Sequence, residues 1–154
     1  MAPRPLVLVI NGPNLDKLGT RSPEIYGSTT LAELEKTLTA RAEELGMDVE
    51  FFQANDESVV VDAVGHASQR GAAAILINPA ALTHFSYPLR EALAATGLRV
   101  VEVHISNIHA REPFRRLSLV SGVAKGTIVG LGVKGYALAL EAIAGMVGVP
   151  RDGV

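Results

Sequence analysis

The chain has 154 residues, 48% of them hydrophobic and 19% charged, which suits one globular domain with one core and excludes an intrinsically disordered chain. A formal net charge of −2 excludes a global basic field that would draw it to nucleic acid or to a membrane surface. The lack of cysteine excludes disulfides, thiol nucleophiles and cysteine-ligated metals, and it fits a reducing cytoplasm.

Leu6-Val-Leu-Val-Ile10 is a continuous apolar run ending in turn residues, which predicts a buried strand of a parallel sheet. The run is too short to span a membrane, and Asn11-Gly12-Pro13 follows at once, unlike a signal peptide. A soluble cytoplasmic protein is therefore expected. Asn11–Ser28 reads as an eighteen-residue loop without helical period, and loops of that length are usually functional. Thr30 and Glu33 form a capping box ahead of a helix with Leu31, Leu34, Leu38 and Leu45 on one face, ended by Gly46. Asp48–Gln53 is the second strand. Asn55-Asp-Glu57 caps a helix with Val60, Ala63, Val64 and Ala67 aligned, closed by Gly71. Ala73–Asn78 is the third strand and Pro79–His84 a loop. A helix from about Tyr87 has Pro88 in its first turn.

Arg99–His104 is the fourth strand, and Pro113 is expected to start a short helix in the loop beyond it. Gly126–Leu131 is the fifth strand. The last helix, from about Lys134, aligns Tyr136, Leu140, Ile143 and Val147. Gly148–Val154 reads as a frayed, disordered tail. No repeat or linker divides the chain, so one catalytic domain over 1–154, with a core of about 5–147, is expected. Strands alternating with helices predict an α/β fold. The best match is a flavodoxin-like doubly wound sheet of five parallel strands, order 2-1-3-4-5.

In such sheets ligands sit beyond the carboxyl ends of the strands, at the switch in strand order. That places the loops after the first, third and fourth strands at one mouth. The first loop carries Asn14, Arg21 and Tyr26, the second Asn78 and His84. The fourth strand ends in Glu102-Val-His-Ile-Ser-Asn-Ile-His-Ala-Arg-Glu-Pro-Phe-Arg-Arg116. Three guanidiniums there invite a carboxylate or phosphate, because their planar forks of donors match those groups. A histidine at the strand end can move protons near neutral pH. Tyr26 is either an ordinary packed tyrosine or a base. A free tyrosine ionises only near pH 10, so a neighbouring cation such as Arg21 is needed, and one guanidinium lowers such a value by about 1–3 units. Glu102 alternates with Val101 and Val103 and needs a partner on its face of the sheet. That makes it an orienter for His84 or His104.

Metal binding by His84, His104 and His109 is opposed by Arg111 and Arg115, which would repel a dication. No Walker or dinucleotide fingerprint follows the first strand, and Ser106 lacks a nucleophile elbow.

Taken together, the motifs resemble those of the type II 3-dehydroquinate dehydratases. They are Asn-Gly-Pro-Asn-Leu at 11–15 with Leu18-Gly19, Arg-x-Pro-x-x-Tyr-Gly at 21–27, Leu82-Thr-His84, the string at 102–115, and Gly130-Leu-Gly-x-x-Gly-Tyr136. They occur in family order and span roughly residues 5–147. The resemblance implies a flavodoxin-like subunit assembling as trimers into a dodecamer. It also implies reversible, cofactor-free and metal-free dehydration of 3-dehydroquinate to 3-dehydroshikimate through an enolate, in the shikimate pathway that leads to chorismate and the aromatic amino acids.

It further implies Tyr26 as the base, Arg21 as its activator and His104 as the acid, with Asn14 positioning a water that stabilises the enolate. Asn78, His84 and Arg115 would bind substrate, with the Ile105 and Ser106 backbone at its carboxylate. Glu102 would support the histidines, and Arg111 would belong to the lid and the arginine pair. Ala80 stands where the family commonly has Gly, and Phe85 where it has Thr. Asn55-Asp-Glu-Ser58 replaces Asn-His-Glu-Gly. Glu91 replaces an aspartate that reaches the neighbouring subunit's site. These departures bear on rate, affinity and trimer contacts rather than on reaction type. Two other readings are a flavodoxin-like binding module for a small anion or nucleotide, and an inactive homologue.

Overall fold

The computed structural model describes residues 3–148. The expected tail falls, beyond Gly148, outside the described residues. Five parallel strands form one sheet in the order β2-β1-β3-β4-β5. They are β1 (Leu6–Asn11), β2 (Asp48–Gln53), β3 (Ala72–Asn78), β4 (Arg99–His104) and β5 (Gly126–Val129). The helices are α1 (Pro23–Tyr26), α2 (Leu31–Glu44), α3 (Glu57–Gly65), α4 (Tyr87–Ala95) and α5 (Lys134–Met146). This is the doubly wound flavodoxin-like arrangement expected from the strand pattern. Among the described residues, no helix is long and apolar enough to cross a membrane.

The central strands are apolar along most of their length because both faces are covered, with polar residues gathered toward their carboxyl ends. Val7, Val9, Ala74, Leu76, Val101 and Val103 pack with Leu34 and Leu38 of α2 and Leu140 and Ile143 of α5. The alternate residues Leu8, Ile10, Ile75, Ile77 and Val100 pack with Val60 and Val64 of α3 and Leu89 and Leu93 of α4. Each strand thus feeds two cores through its period of two. Glu102 and His104 share the parity of Val100, so they face the α3 and α4 side at the carboxyl end of β4.

The helix caps follow their residue types. Thr30 accepts from the Glu33 N–H, Asp56 from Ser58 and Val59, and Ser86 from Leu89. Four local expectations need correction. Helix α3 ends at Gly65, and tight turns through His66–Arg70 carry the chain to Gly71 at φ +81°. Strand β5 stops at Val129, because Gly130 turns the chain at φ +86° and gives its N–H to the His104 carbonyl. The loop after β1 is not irregular: it contains a 3-10 turn at Leu15–Lys17 and the single turn of α1. Pro23 sets the φ of α1's first position, and the Gly27 N–H closes the turn on the Pro23 carbonyl. Likewise, the loop after β3 is wound into a 3-10 turn over Ala80–His84.

Candidate active site

Strands β1 and β3 lie side by side with Asn11 opposite Asn78, which is the point where strand order reverses. The Gly12 N–H continues the ladder to the Asn78 carbonyl. The two chains are so close here that a Cβ on Gly12 would lie 2.4 Å from the Pro79 oxygen. A buried polar chain pins the two strand ends together. The Tyr136 hydroxyl of α5 donates to Asn11 Oδ1 at 2.6 Å and accepts from Asn78 Nδ2 at 2.9 Å. Burial pushes the Tyr136 phenol far above its ordinary ionisation range, so it stays a neutral donor. Asn78 Oδ1 accepts from the Ala80 N–H, which holds Ala80 at φ +52°. Asn78 keeps one amide hydrogen for a ligand.

Beyond these strand ends lies a cavity of about 120 Å³. Its apolar lining comes from Pro13, Leu15, Leu18, Ala80, Ala81, Ile105 and Ile108. Its polar lining is Asn14, Arg21, Tyr26, Asn78, His84, His104, Ser106, Arg111 and Arg115. The loops after β1, β3 and β4 therefore meet here.

Asn14 sits in the left-handed region at φ 68°, with its N–H bound to Asn55 Oδ1 at 2.9 Å. Tyr26, the last residue of α1, is half-buried. The guanidinium on its oxygen belongs to Arg111, whose Nη1 donates to the Tyr26 hydroxyl at 2.9 Å and to Ser106 Oγ at 3.2 Å. Arg21 is exposed and approaches the ring instead, at 5.8 Å from its centroid. Proximity in sequence pointed to Arg21 as the direct partner. The 3-10 turn at Ile108–Ala110 decides otherwise, because it folds Arg111 back over the phenol.

At the other strand end, Glu102 is fully buried and holds His104 through its Nε2. This selects His104 over His84 as the histidine that Glu102 orients. Burial works against the Glu102 carboxylate. The hydrogen bonds from His104, Ser121 and Ser118 outweigh it and hold the carboxyl below the usual carboxylate range.

His84 is instead fixed by its Nδ1, which donates to the Leu117 carbonyl at 2.8 Å, and its ring stands edge-on to Phe114. Partial burial, with the positive charge of His104 and Arg115 nearby, lowers its ionisation below the ordinary histidine value. A neutral His84 would offer Nε2 as an acceptor. Arg115 places its Nε on Glu112 at 2.8 Å and its guanidinium over Phe114, leaving its terminal nitrogens for a ligand.

One sequence-predicted site residue lies elsewhere. Glu91 is exposed on α4, paired with Arg90, and does not line the cavity. His109 is exposed on its 3-10 turn. Four residues with structural roles at the site escaped the sequence reading. Gln53 and Asn55 brace the first loop, with Gln53 Nε2 bound to the Gly12 carbonyl at 3.2 Å. Ser118 and Ser121 grip Glu102. Serines and amides are common in loops, and only Asn55, which opens the Asn55-Asp-Glu-Ser58 string, gave any signal.

The cavity pairs a phenol beneath a guanidinium with a carboxylate-held imidazole, amid donors suited to a small polyhydroxylated anion. The family model described as dehydroquinase class II matches residues 5–144. The chain is 56% identical over 140 residues to the 3-dehydroquinate dehydratase 2 of Corynebacterium efficiens, covering 90% of this chain and 96% of that one. It is 53% identical over 136 residues to the 3-dehydroquinate dehydratase of Methylococcus capsulatus, covering 88% and 92%. The crystal structure of type II dehydroquinase from Propionibacterium acnes matches with a TM-score of 0.88 at 44% identity, over 94% of this chain and 98% of that one. With nearly its whole length matched in both sequence and backbone, this chain belongs to the class II dehydroquinase family.

Proposed function

We propose that this protein catalyses the reversible dehydration of 3-dehydroquinate to 3-dehydroshikimate, without cofactor or metal. The observation that carries the reading is the pairing, around one cavity, of Tyr26 under Arg111 with His104 held by Glu102. Tyr26, as phenolate, removes the proton from the carbon beside the ketone, and the electron pair moves onto the carbonyl oxygen as an enolate. Arg111 and Arg21 supply the positive charge that favours the phenolate. A water held by Asn14 stabilises the enolate oxygen. The enolate then collapses to the enone, the bond to the neighbouring hydroxyl breaks, and His104 gives that oxygen the proton that makes it water. One water leaves, and the ring gains one double bond.

Asn78, His84 and Arg115 bind the substrate hydroxyls, and the Ile105 and Ser106 backbone receives its carboxylate. Glu102 keeps His104 oriented. Glu91 completes the site of a neighbouring subunit in a trimer, and trimers assemble into a dodecamer. The exposed position of Glu91 on α4 suits that role. The protein works in the cytoplasm, in the shikimate route to aromatic amino acids.

The test is to incubate purified protein with 3-dehydroquinate and follow ultraviolet absorbance of the conjugated enone. Absorbance should rise with wild type and lose most of its rate with Tyr26→Phe. Unchanged substrate with wild type overturns the reading, and near-normal turnover by Tyr26→Phe overturns the base assignment.

A further inference from the structure

We propose that Ser121 and Ser118 are positioning residues for the acid step, forming a cup of hydroxyl donors that keeps the shared proton of the Glu102–His104 pair on the imidazole. The inference rests on the dehydration reading above.

Two arrangements of this pair hold the same number of protons. One is a carboxylate beside an imidazolium, and the other is a carboxylic acid beside a neutral imidazole. Only the first leaves His104 charged and able to give up a proton at its second ring nitrogen. Glu102 is fully buried, and burial alone favours the neutral arrangement. Something must therefore stabilise the anion, and it comes from the 118–121 turn and from β5. Ser121 Oγ donates to Oε1 at 2.6 Å, and Ser118 Oγ donates to Oε2 at 2.8 Å. Thr127 Oγ1 adds a longer contact to Oε1 at 3.4 Å. Oxygen donors bonded to an ionised acceptor are among the stronger hydrogen bonds.

The backbone of the turn makes the cup directional. Ser118 Oγ accepts the N–H groups of Val120 at 3.2 Å and Ser121 at 3.1 Å. Those two bonds occupy its lone pairs, so its hydroxyl hydrogen points to Glu102. The carboxylate thus meets a preset dipole rather than a free rotor, as electrostatic preorganisation requires. Ser121 is otherwise exposed, so its hydroxyl can be removed without opening a core cavity.

The test compares wild type, Ser121→Ala, Ser118→Ala and Ser121→Thr. Steady-state turnover of 3-dehydroquinate is measured together with the imidazole nitrogen resonances of protein labelled with ¹⁵N at histidine. Each alanine variant should lower kcat by about tenfold, the worth of one hydrogen bond to a charged group, with KM within twofold of wild type. The His104 nitrogen resonances should move toward the neutral-imidazole range, and Ser121→Thr should recover both kcat and resonances. Alanine variants with wild-type kcat overturn the proposal. So does a loss of kcat with unmoved His104 resonances, which marks a merely structural role. If Ser118→Ala fails to fold, Ser121→Ala decides alone. If wild type does not turn over 3-dehydroquinate, the dehydration reading fails, while the resonances still report whether the serines control the pair.

Discussion

Arg111 and Tyr26 are 85 residues apart in sequence, yet the Arg111 guanidinium donates to the Tyr26 hydroxyl at 2.9 Å. Arg21, five residues from Tyr26, lies against the ring and not on the oxygen. The two arginines should therefore differ in kind. Arg111→Ala should reduce kcat by about a hundredfold, within the range of removing one donor aimed at developing charge. Arg111→Lys should not restore it fully, since an ammonium on a flexible stem lacks the rigid planar group that sets one guanidinium nitrogen, Nη1, on both Tyr26 and Ser106. Arg21→Ala should lower turnover as well, through loss of a nearby charge. Steady-state kinetics on the three variants checks this order, and a larger loss for Arg21→Ala than for Arg111→Ala would reverse it.

Ala80 stands at φ +52°, held there by the bond of its N–H to Asn78. A Cβ in the left-handed region costs about 1–2 kcal/mol, partly offset by the greater unfolded-state freedom of glycine. Ala80→Gly should raise the unfolding free energy by about 0.5–1 kcal/mol without moving the cavity wall. Urea denaturation at neutral pH measures it, and a lower midpoint contradicts the strain argument.

Gly12 gives the opposite case. Its missing Cβ makes room for the Pro79 carbonyl, and both atoms an added Cβ would strike are backbone. Gly12→Ala should cost about 2 kcal/mol or more, the scale of overpacking where nothing flexible can yield. It should also depress turnover, because it parts the β1 and β3 ends that carry Asn14 and Asn78. Gly65→Ala, at the end of α3 with open space around it, should be neutral or stabilising. Thermal melts of the two variants separate steric crowding from a generic glycine effect.

The buried Glu102 predicts a pH dependence. Burial raises its carboxyl, but the hydrogen bonds from His104, Ser121 and Ser118 prevail and place the folded value below the ordinary 4.5. In the window between those values the unfolded chain binds the proton and the folded chain does not. Stability from Glu102 is therefore present above pH 4.5 and is lost as pH falls through the folded value. Glu102→Gln removes this titration and sets an amide hydrogen against a serine or His104. It should be less stable than wild type at pH 7 by about 1–3 kcal/mol. The difference should shrink as the pH drops below 4.5, as read from urea midpoints between pH 3 and 7. A constant difference across that range would exclude Glu102 as the titrating group.

Much of the architecture is decided by the chain pattern itself. Runs such as Leu6–Ile10 and Ala74–Ile77 are apolar at successive positions, which is possible in water only for strands covered on both faces. That covering, with helices between strands, leads to a doubly wound sheet and to loops converging at the switch point. Local chemistry also sets the helix starts at Thr30, Asp56 and Ser86. What tertiary structure alone decides is pairing across those loops: Arg111 with Tyr26, Glu102 with His104, and Ser118 and Ser121 with Glu102. Periodicity reports which face a residue occupies, and the reach of a neighbouring side chain suggests a partner. Neither describes the path of a loop wound into 3-10 turns, and that path brings distant donors to one oxygen.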